Sequence, residues 1–276
     1  MRVHILQHES FEAPGAYLKW AENKGYEVTF SKVFEGDKLP ESTEGIDILF
    51  VMGGPQSPAT TLEECPHFET KKEQEFIKKC IDAKKAVVGV CLGAQLIGES
   101  LGGKFDHSPE KEIGNFAIEL TEEGLKDEKL SHFDRKREIV GHWHGDMPGL
   151  VEGSVVLAKS VGCPRQIIRF TPLVYGFQCH LEFDSEIVVE LIANEKNLEQ
   201  EFEKFRYIEN PEEIKKYDYI AMNKKLYEFL DKLEYIIFSI SKNHFFNDGN
   251  KRTSIAVGAY FLIENGYDKK ITVGGG

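Results

Sequence analysis

Short, unbroken apolar segments that alternate with longer segments of helical periodicity limit the fold of this chain more than any other feature. Val3–Gln7, Ile46–Met52 and Ala86–Val90 are mostly apolar and rich in β-branched or aliphatic residues. A strand of this kind is buried on both sides, as in a parallel sheet covered by helices on both faces. The sequence therefore predicts an α/β fold with an open, mostly parallel sheet. Such sheets carry their functional sites beyond the carboxyl ends of the strands.

The same periodicity, together with the glycines that end helices, predicts further elements. In the first half they are a helix at 16–24 that ends at Gly25, a strand at 27–30, and helices at 69–83 and 92–101. The middle, from about 113 to 183, has strand-like segments at 116–120, 155–158, 166–170 and 174–179. We interpret them as more strands of the sheet plus a short antiparallel excursion. From Ser185 onward the pattern is helical, at 186–195, 199–205 and 217 to about 241, and Pro211 marks a loop.

Charge and cysteine content exclude several classes of protein. The 34 Lys and Arg against 46 Asp and Glu give a formal charge of −12, so no basic field attracts nucleic acid or anionic lipid. No apolar run approaches the roughly 18 residues that cross a bilayer, and the N-terminus has no signal-peptide pattern. The five cysteines are an odd set without CxxC spacing, so neither a disulfide framework nor a zinc site is predicted. We expect a cytoplasmic protein that binds neither nucleic acid nor membrane.

Cys91 is the candidate nucleophile. It follows an apolar strand and precedes a helix, with Gly89 and Gly93 two residues away on either side. This is the pattern of a nucleophile elbow, a sharp turn that leaves no room for side chains at the flanking positions. The helix start offers unpaired N–H groups and a positive dipole end, which we expect to favour the thiolate. The alternative is a small buried cysteine whose glycine neighbours only allow close helix–strand packing.

A thiol nucleophile needs a base, and the base needs a group that orients it. His180 and Glu182 lie two residues apart on a segment predicted to be extended, so their side chains point the same way. A His-x-Glu spacing also occurs often by chance. The Gly-Gly-Pro turn at 53–55 follows another strand, and the N–H groups of Gly54 and Leu92 are predicted to form an oxyanion hole. By itself that turn is no more than a loop.

These motifs, in this order along the chain, resemble those of the class I (triad) glutamine amidotransferases. The closest likeness is to stand-alone proteins similar to the amidotransferase domain of GMP synthase. The resemblance rests on residues 53–55, 89–95 and 180–182, with further matching stretches at 4–9, 111–114 and 141–146. It covers residues 1 to about 233. It implies a flavodoxin-like open sheet with helices on both faces, followed here by a helical C-terminal extension.

The resemblance also implies a role for each motif residue. Cys91 attacks the side-chain amide of glutamine, His180 acts as base and then as acid toward the departing ammonia, and Glu182 orients His180. The oxyanion hole is assigned to Gly54 and Leu92, and the amino-acid end of glutamine to Gln95, His144, Gly145 and Asp146. No cofactor or metal is expected at this site. The family usually has Phe and Pro where this chain has Cys179 and Leu181, and the missing Pro is expected to loosen the strand end at His180.

A second motif lies near the C-terminus. Residues 244–253, HFFNDGNKRT, resemble the core motif of the Fic/Doc family. The resemblance implies that His244 is a general base, that Asp248 holds Mg²⁺, and that Asn250 and Arg252 belong to a phosphate-binding loop. Mg and ATP are expected as cofactors only if this motif is active. Because a complete Fic/Doc domain is a larger all-helical unit, we expect a fragment of it joined to an amidotransferase.

Three segments are therefore predicted: an amidotransferase domain at 1–200, its helical extension at 201–234, and a Fic/Doc-like fragment at 235–276. The predicted reaction is hydrolysis of glutamine to glutamate and ammonia through a γ-glutamyl thioester. The ammonia would pass to an acceptor, activated by a synthetase on another chain. Two alternatives stay open, hydrolysis of γ-glutamyl peptides by the same triad and nucleotide or phosphate transfer by the C-terminal motif. An inactive scaffold is disfavoured because all three triad members are present. The oligomeric state is left open.

Overall fold

The computed structural model describes residues 1–134 and 137–245, which contain nine strands and seven helices. In chain order they are β1 (Arg2–Gln7), α1 (Gly15–Asn23), β2 (Glu27–Lys32), β3 (Ile48–Val51), α2 (Thr70–Asp82), β4 (Ala86–Val90), α3 (Leu92–Ser100), β5 (Asp106–Leu120), β6 (Glu138–Met147), β7 (Val155–Lys159), β8 (Ile167–Thr171), β9 (Val174–Phe177), α4 (Ser185–Asn194), α5 (Leu198–Phe202), α6 (Pro211–Lys216) and α7 (Ile220–Phe245). Short 3₁₀ turns follow β2 and precede β6.

The strands pair in the order β2-β1-β3-β4-β9-β8-β7-β5-β6. The first five are parallel to one another, which confirms the predicted open α/β sheet, and the remaining pairs are antiparallel. The antiparallel part is larger than the short excursion expected from the sequence, because β5 and β6 form a long hairpin. The first half of β5 is mostly exposed and therefore polar. A half-exposed antiparallel strand lacks the continuous apolar run that identified the parallel strands.

Helices cover both faces of the parallel part of the sheet. Successive side chains of a strand point to opposite faces, so Leu49 and Phe50 of β3 pack against different layers. Leu49 belongs to a buried cluster with Ile77 of α2 and Leu96 of α3. On the other face, the ring of Phe50 lies 4.8 Å from that of Tyr17 on α1. The predicted two-layer covering is therefore confirmed.

The long helix α7 packs on the same face as α1. Its Phe229 is fully buried, with ring centroids 5.1 Å from Tyr175 and 4.9 Å from Phe177, both on β9. The indole N–H of Trp20 on α1 donates to Asp231 of α7 at 2.8 Å. The helical tail is therefore part of the core that supports β9, the strand next to β4.

Two predicted boundaries in the helical tail were wrong. Pro211 does not lie in a loop but opens α6, where a proline at the first position loses no helical hydrogen bond. The side chain of Asn210 caps this helix by accepting from the N–H of Glu212 at 2.9 Å. The last helix also continues beyond the expected end near 241 to Phe245.

Residues Met1–Tyr235 form one compact unit, and a second unit begins at Ile236. Of the Fic/Doc-like motif, the backbone of His244 lies in α7, whereas Asp248, Asn250 and Arg252 fall outside the described residues. The segment boundaries proposed at 200 and 234 stay a prediction. Among the described residues, no helix is both long and apolar enough to span a bilayer.

Candidate active site

The backbone at Cys91 has the sharp turn of a nucleophile elbow. Cys91 sits between β4 and α3 with φ 50° and ψ −109°, a conformation that non-glycine residues rarely adopt. A Cβ added at Gly89 would lie 2.4 Å from the backbone of Gly93, and one added at Gly93 would lie 2.0 Å from the carbonyl oxygen of Val51. Both flanking glycines are thus required by space. The turn is held by a hydrogen bond of 2.7 Å from the Cys91 N–H to the carbonyl of Phe177.

His180 and Glu182 lie together beyond the end of β9. Nδ1 of His180 is 2.6 Å from Oε1 of Glu182, and the imidazole stacks on the ring of Phe183 with centroids 4.3 Å apart. The backbone of His180 pairs with Gly141 through two hydrogen bonds of 2.8 and 2.9 Å. Within the described part of the chain, Nε2 of His180 has no hydrogen-bond partner, although His180 interacts electrostatically with Cys91. The free ring nitrogen is therefore available to the thiol.

The strand end that carries His180 is pinned by contacts that the sequence analysis did not foresee. The N–H of Leu181 donates to Oε2 of Glu182 at 3.0 Å, a bond that a proline at this position could not make. The side-chain amide of Asn223 on α7 donates to the carbonyls of Leu181 and Phe183 at 2.8 and 3.0 Å. Leu181 thus replaces the usual proline with a hydrogen bond that fixes Glu182.

Burial dominates the charge state of the candidate nucleophile. It raises the pKa of the Cys91 thiol, and the lowering effects of His180 and of the Leu92 backbone do not offset it. The helix start does favour the thiolate, as expected, through the Leu92 backbone, but burial outweighs it. Burial by itself would lower the pKa of His180, but the Glu182 carboxylate and the Cys91 sulfur raise it well above its usual value. Burial thus makes the thiol a weaker acid, while Glu182 makes the imidazole a stronger base.

Glu12 is a site residue that sequence reasoning missed. It lies in the loop after β1, outside any motif, and only 7% of its surface is exposed. Gly53 makes room for it: a Cβ there would lie 2.5 Å from Oε2 of Glu12 and 3.6 Å from Cβ of Cys91. Burial, with a smaller contribution from Glu182, raises the pKa of Glu12 to about 7. No sequence signal marks a lone loop glutamate, so only the fold identifies it.

A cavity of about 420 Å³ opens at Cys91. Six of the residues predicted to form the site line it: Gly54, Cys91, Gln95, His144, Gly145 and Asp146. Its wall also includes Glu12, Lys111, Trp143 and Glu195. The Cys91 sulfur lies 3.6 Å from the carbonyl oxygen of Trp143. The position and size of this cavity are those of a small-molecule site.

The remaining predicted residues are near the thiol, but not all are free to meet a ligand. The backbone of Leu92 interacts with the Cys91 sulfur, and a Cβ on Gly54 would lie 2.9 Å from Cδ2 of Leu92. Nε2 of Gln95 donates to Gln178 at 3.2 Å, while its Oε1 has no partner within the described residues. The Asp146 carboxylate lies 2.6 Å from His107.

His144, which lines the cavity, also belongs to a buried cluster. Its ring nitrogen Nε2 lies 3.3 Å from Nδ1 of His142 and 3.4 Å from Oε2 of Glu112. Burial lowers the pKa of His142 to about 3 and that of His144 well below its usual value. The imidazole of His144 thus makes its close polar contacts within this cluster.

A glutamine amidotransferase class-I family model matches residues 16–197. The glutamine amidotransferase-like protein YfeJ of Salmonella typhimurium is 50% identical over 233 residues, which are 84% of this chain and 97% of that protein. A GMP synthase (glutamine-hydrolyzing) of Bacillus cereus is 32% identical over 120 residues, 42% of this chain and 23% of that protein. The chain therefore spans less than a quarter of the length of that synthase.

Solved structures agree on the fold. The crystal structure of SMU.1228c has a TM-score of 0.84 and 50% identity, and the match covers 85% of this chain and 100% of that one. A glutamine amido transferase from Methylobacillus flagellatus has a TM-score of 0.74 over 85% of this chain and 94% of its own, at 24% identity. The second likeness concerns the fold alone.

A second family model, that of the Fic/DOC family, matches residues 187–262. The match begins in α4 and runs through the motif at 244–253, so the predicted C-terminal resemblance is confirmed. It overlaps the amidotransferase match at 187–197. Of the helices that follow the sheet, only α4 therefore lies in both matches.

Proposed function

The chain belongs to the class-I glutamine amidotransferase family, and from this premise we propose that it hydrolyses the side-chain amide of glutamine with Cys91, His180 and Glu182. The observation that carries the proposal is the arrangement of these three groups. The Glu182 carboxylate engages Nδ1 of His180 at 2.6 Å, which leaves Nε2 unpartnered beside a nucleophile on a strained turn. This is the arrangement that a thiol–imidazole–carboxylate triad needs.

The first half of the reaction forms a thioester. Nε2 of His180 takes the thiol proton as Sγ of Cys91 bonds to the carboxamide carbon, and the carbonyl π electrons move to the oxygen. The N–H groups of Gly54 and Leu92 donate to this oxyanion. When the intermediate collapses, the C–N bond breaks and His180 returns its proton to the nitrogen, which leaves as ammonia.

The second half releases glutamate. His180 takes a proton from a water molecule whose oxygen attacks the thioester carbon, and the C–S bond breaks with return of the proton to Cys91. Glu182 stabilises the imidazolium that forms in both halves. Because burial keeps Cys91 a thiol in the free protein, the base is needed at the moment of attack.

The test is a glutaminase assay on Cys91→Ser. A serine hydroxyl is a far weaker nucleophile at this position, so kcat/KM is expected to fall by roughly 10³-fold or more. The matched control is Cys80→Ser, which changes a buried thiol on α2 and should leave the activity as it is in the parent. Glutamate release that is unchanged in Cys91→Ser, with the same melting temperature as the parent, would refute the assignment.

Two further parts of the proposal concern substrate and partner. The ammonia is proposed to reach an acceptor activated by a synthetase on another chain, since several relatives are named GMP synthase and one of these is a single subunit of that enzyme. Hydrolysis of γ-glutamyl peptides is the alternative use of the same triad. Glutamine and γ-glutamyl peptides are therefore assayed in competition, with and without cell extract. A rate on glutamine that rises only with extract supports the amidotransferase.

Nucleotide or phosphate transfer by the C-terminal motif is a second candidate, supported by the Fic/DOC match. It requires Mg²⁺ and ATP, whereas the glutaminase is proposed to need neither. Transfer of radiolabel from ATP to protein that disappears in His244→Ala would support it. Equal labelling of parent and variant would exclude the motif as its source.

A further inference from the structure

Four buried side chains converge beside the cavity, outside the proposed triad, and one of them, His144, also lines the cavity. Glu112 lies on β5, His142 and His144 lie on β6, and Gln166 immediately precedes β8. Their exposed fractions are 1%, 0%, 5% and 0%. These residues therefore meet away from solvent and come from three separate parts of the chain.

The four groups lie at the corners of a tetrahedron with edges between 2.7 and 3.5 Å. Nδ1 of His142 and Nε2 of His144 are 3.3 Å apart, and they lie 3.5 and 3.4 Å from Oε2 of Glu112. The side-chain amide of Gln166 is 2.7 Å from that carboxylate oxygen and 3.2 Å from each histidine nitrogen. The point equidistant from four such atoms is about 2.0 Å from each, which matches the length of a bond from zinc to nitrogen or oxygen.

The lone pair of His142 points into this tetrahedron. Nε2 of His142 lies 3.3 Å from the carbonyl oxygen of Phe116, so its proton belongs on Nε2 and Nδ1 presents a lone pair to the cluster. A ring nitrogen that donates to a backbone carbonyl while the other faces inward is the usual arrangement of a metal-binding histidine.

If both inward ring nitrogens carry lone pairs, hydrogen bonds alone leave the cluster short of protons. Nε2 of Gln166 has four possible acceptors within reach, namely Glu112, His142, His144 and the hydroxyl of Ser160, but an amide has only two hydrogens. Oε1 of Gln166 is buried and has no partner within the described residues. A half-turn of the amide exchanges the two atoms and places Oε1 at the fourth vertex.

The cluster also lacks a fixed positive charge. The hydrogen bonds of the Glu112 carboxylate come from Ser160 at 2.8 Å, from the N–H of Gly162 at 3.3 Å and from Gln166. Within residues 1–134 and 137–245, no lysine or arginine forms an ion pair with it. Burial raises the pKa of Glu112, so its charged form is costly here unless a cation or a metal neutralises it.

We propose that Glu112, His142, His144 and Gln166 hold one Zn²⁺ ion in a closed structural site. Four ligand atoms lie at tetrahedral spacing, and two of them are imidazole nitrogens. This set favours zinc over magnesium or calcium, which prefer six or more oxygen ligands. All four positions are taken by protein, so the ion has no open position for substrate. It joins β5 and β6 to the start of β8 and fixes Trp143, whose carbonyl contacts the Cys91 sulfur.

The test measures metal content on the untagged full chain, produced with added zinc and dialysed. The expected result is about one zinc per chain in the parent, and a zinc content at least tenfold lower in His142→Gln. The matched control is His4→Gln, which removes a buried histidine that hydrogen-bonds Thr29 and Ser31 on another strand. Exchange of the parent protein with Co²⁺ is expected to give the intense visible absorption of a tetrahedral cobalt site.

Three outcomes would overturn the proposal. The first is parent protein without bound zinc whose melting temperature does not rise when zinc is added. The second is cobalt-loaded protein without the tetrahedral spectrum. The third is zinc that stays in His142→Gln but leaves in Cys65→Ser, because Glu9, Cys65 and His67 form another cluster with metal-ligand chemistry. If His142→Gln does not fold, Glu112→Gln and the cobalt spectrum of the parent decide the question.

Discussion

At the scale of single residues, the candidate site depends on burial as much as on residue type. Cys91, His180 and Glu182 are each less than a tenth exposed. Burial raises the pKa of the thiol, and the carboxylate raises the pKa of the imidazole. The pattern of glycines around Cys91 predicted the sharp turn that carries it, but not the protonation state of its thiol. That state depends on the water excluded by residues distant in the sequence.

Glu12 is expected to make stability fall as pH rises toward neutrality. Its pKa is about 7 in the folded chain against an ordinary 4.5, so between these values only the folded state holds the proton. The stabilisation is complete below the ordinary pKa and is lost as pH rises through 7, at up to about 1.4 kcal/mol per pH unit. Urea unfolding at pH 5, 6 and 7 measures this change in the free energy of unfolding.

Glu12→Gln removes the titrating group. The contribution of Glu12 to the slope of unfolding free energy against pH should therefore vanish. Glu75→Gln, at an exposed position of α2, is the control that should keep the slope of the parent. Identical slopes in the parent and in Glu12→Gln would show that Glu12 titrates normally in the folded chain.

At the scale of elements, α7 acts as a support for the site. It packs Phe229 against β9, and its Asn223 holds the carbonyls on either side of Glu182. The sequence indicated a helix here, but not that its polar face would contact the strand end.

Asn223→Ala is expected to lower kcat roughly tenfold and leave KM nearly unchanged. It frees two carbonyls next to the proposed base, and misplacement of a catalytic group slows chemistry more than binding. Lost hydrogen bonds to buried carbonyls also cost about 1–3 kcal/mol of stability. Steady-state kinetics and unfolding are measured beside Lys224→Ala, a change at the neighbouring position on the helix. A loss of stability without any change in kcat would mean that Asn223 does not position the base.

At the scale of the whole molecule, the groups of the proposed triad all lie within the unit Met1–Tyr235. The relative YfeJ is matched over 97% of its length by 233 residues of this chain. The Fic/DOC match adds a second family to the C-terminal part, and the sequence motif at 244–253 identified it without any structure.

A chain that ends at Phe245, the last described residue of α7, is expected to keep the glutaminase activity of the full chain. It retains every residue proposed for catalysis and the helix that supports β9. Glutamate release is measured for both chains at equal concentration, with thermal unfolding as the check on folding. A large loss of activity in a shortened chain that unfolds at the same temperature would assign a role to residues 246–276.

The sequence by itself determined the parallel half of the sheet, the elbow and the pairing of His180 with Glu182. Each of these is local: buried strands are continuously apolar, a tight turn needs glycine, and residues two apart on an extended chain share a side. The sequence did not predict the antiparallel hairpin of β5 and β6, because its exposed face interrupts the apolar pattern.

Only the tertiary structure decided what surrounds these local features. Glu12 reaches Cys91 across Gly53, Asn223 reaches the strand end from α7, and Glu112 meets two histidines and Gln166 from separate strands. No periodicity connects residues that lie tens of positions apart, because their contact depends on how the chain folds back on itself. The proposed zinc site and the raised pKa of Glu12 both arise from such contacts, where burial removes water from groups that would otherwise be solvated.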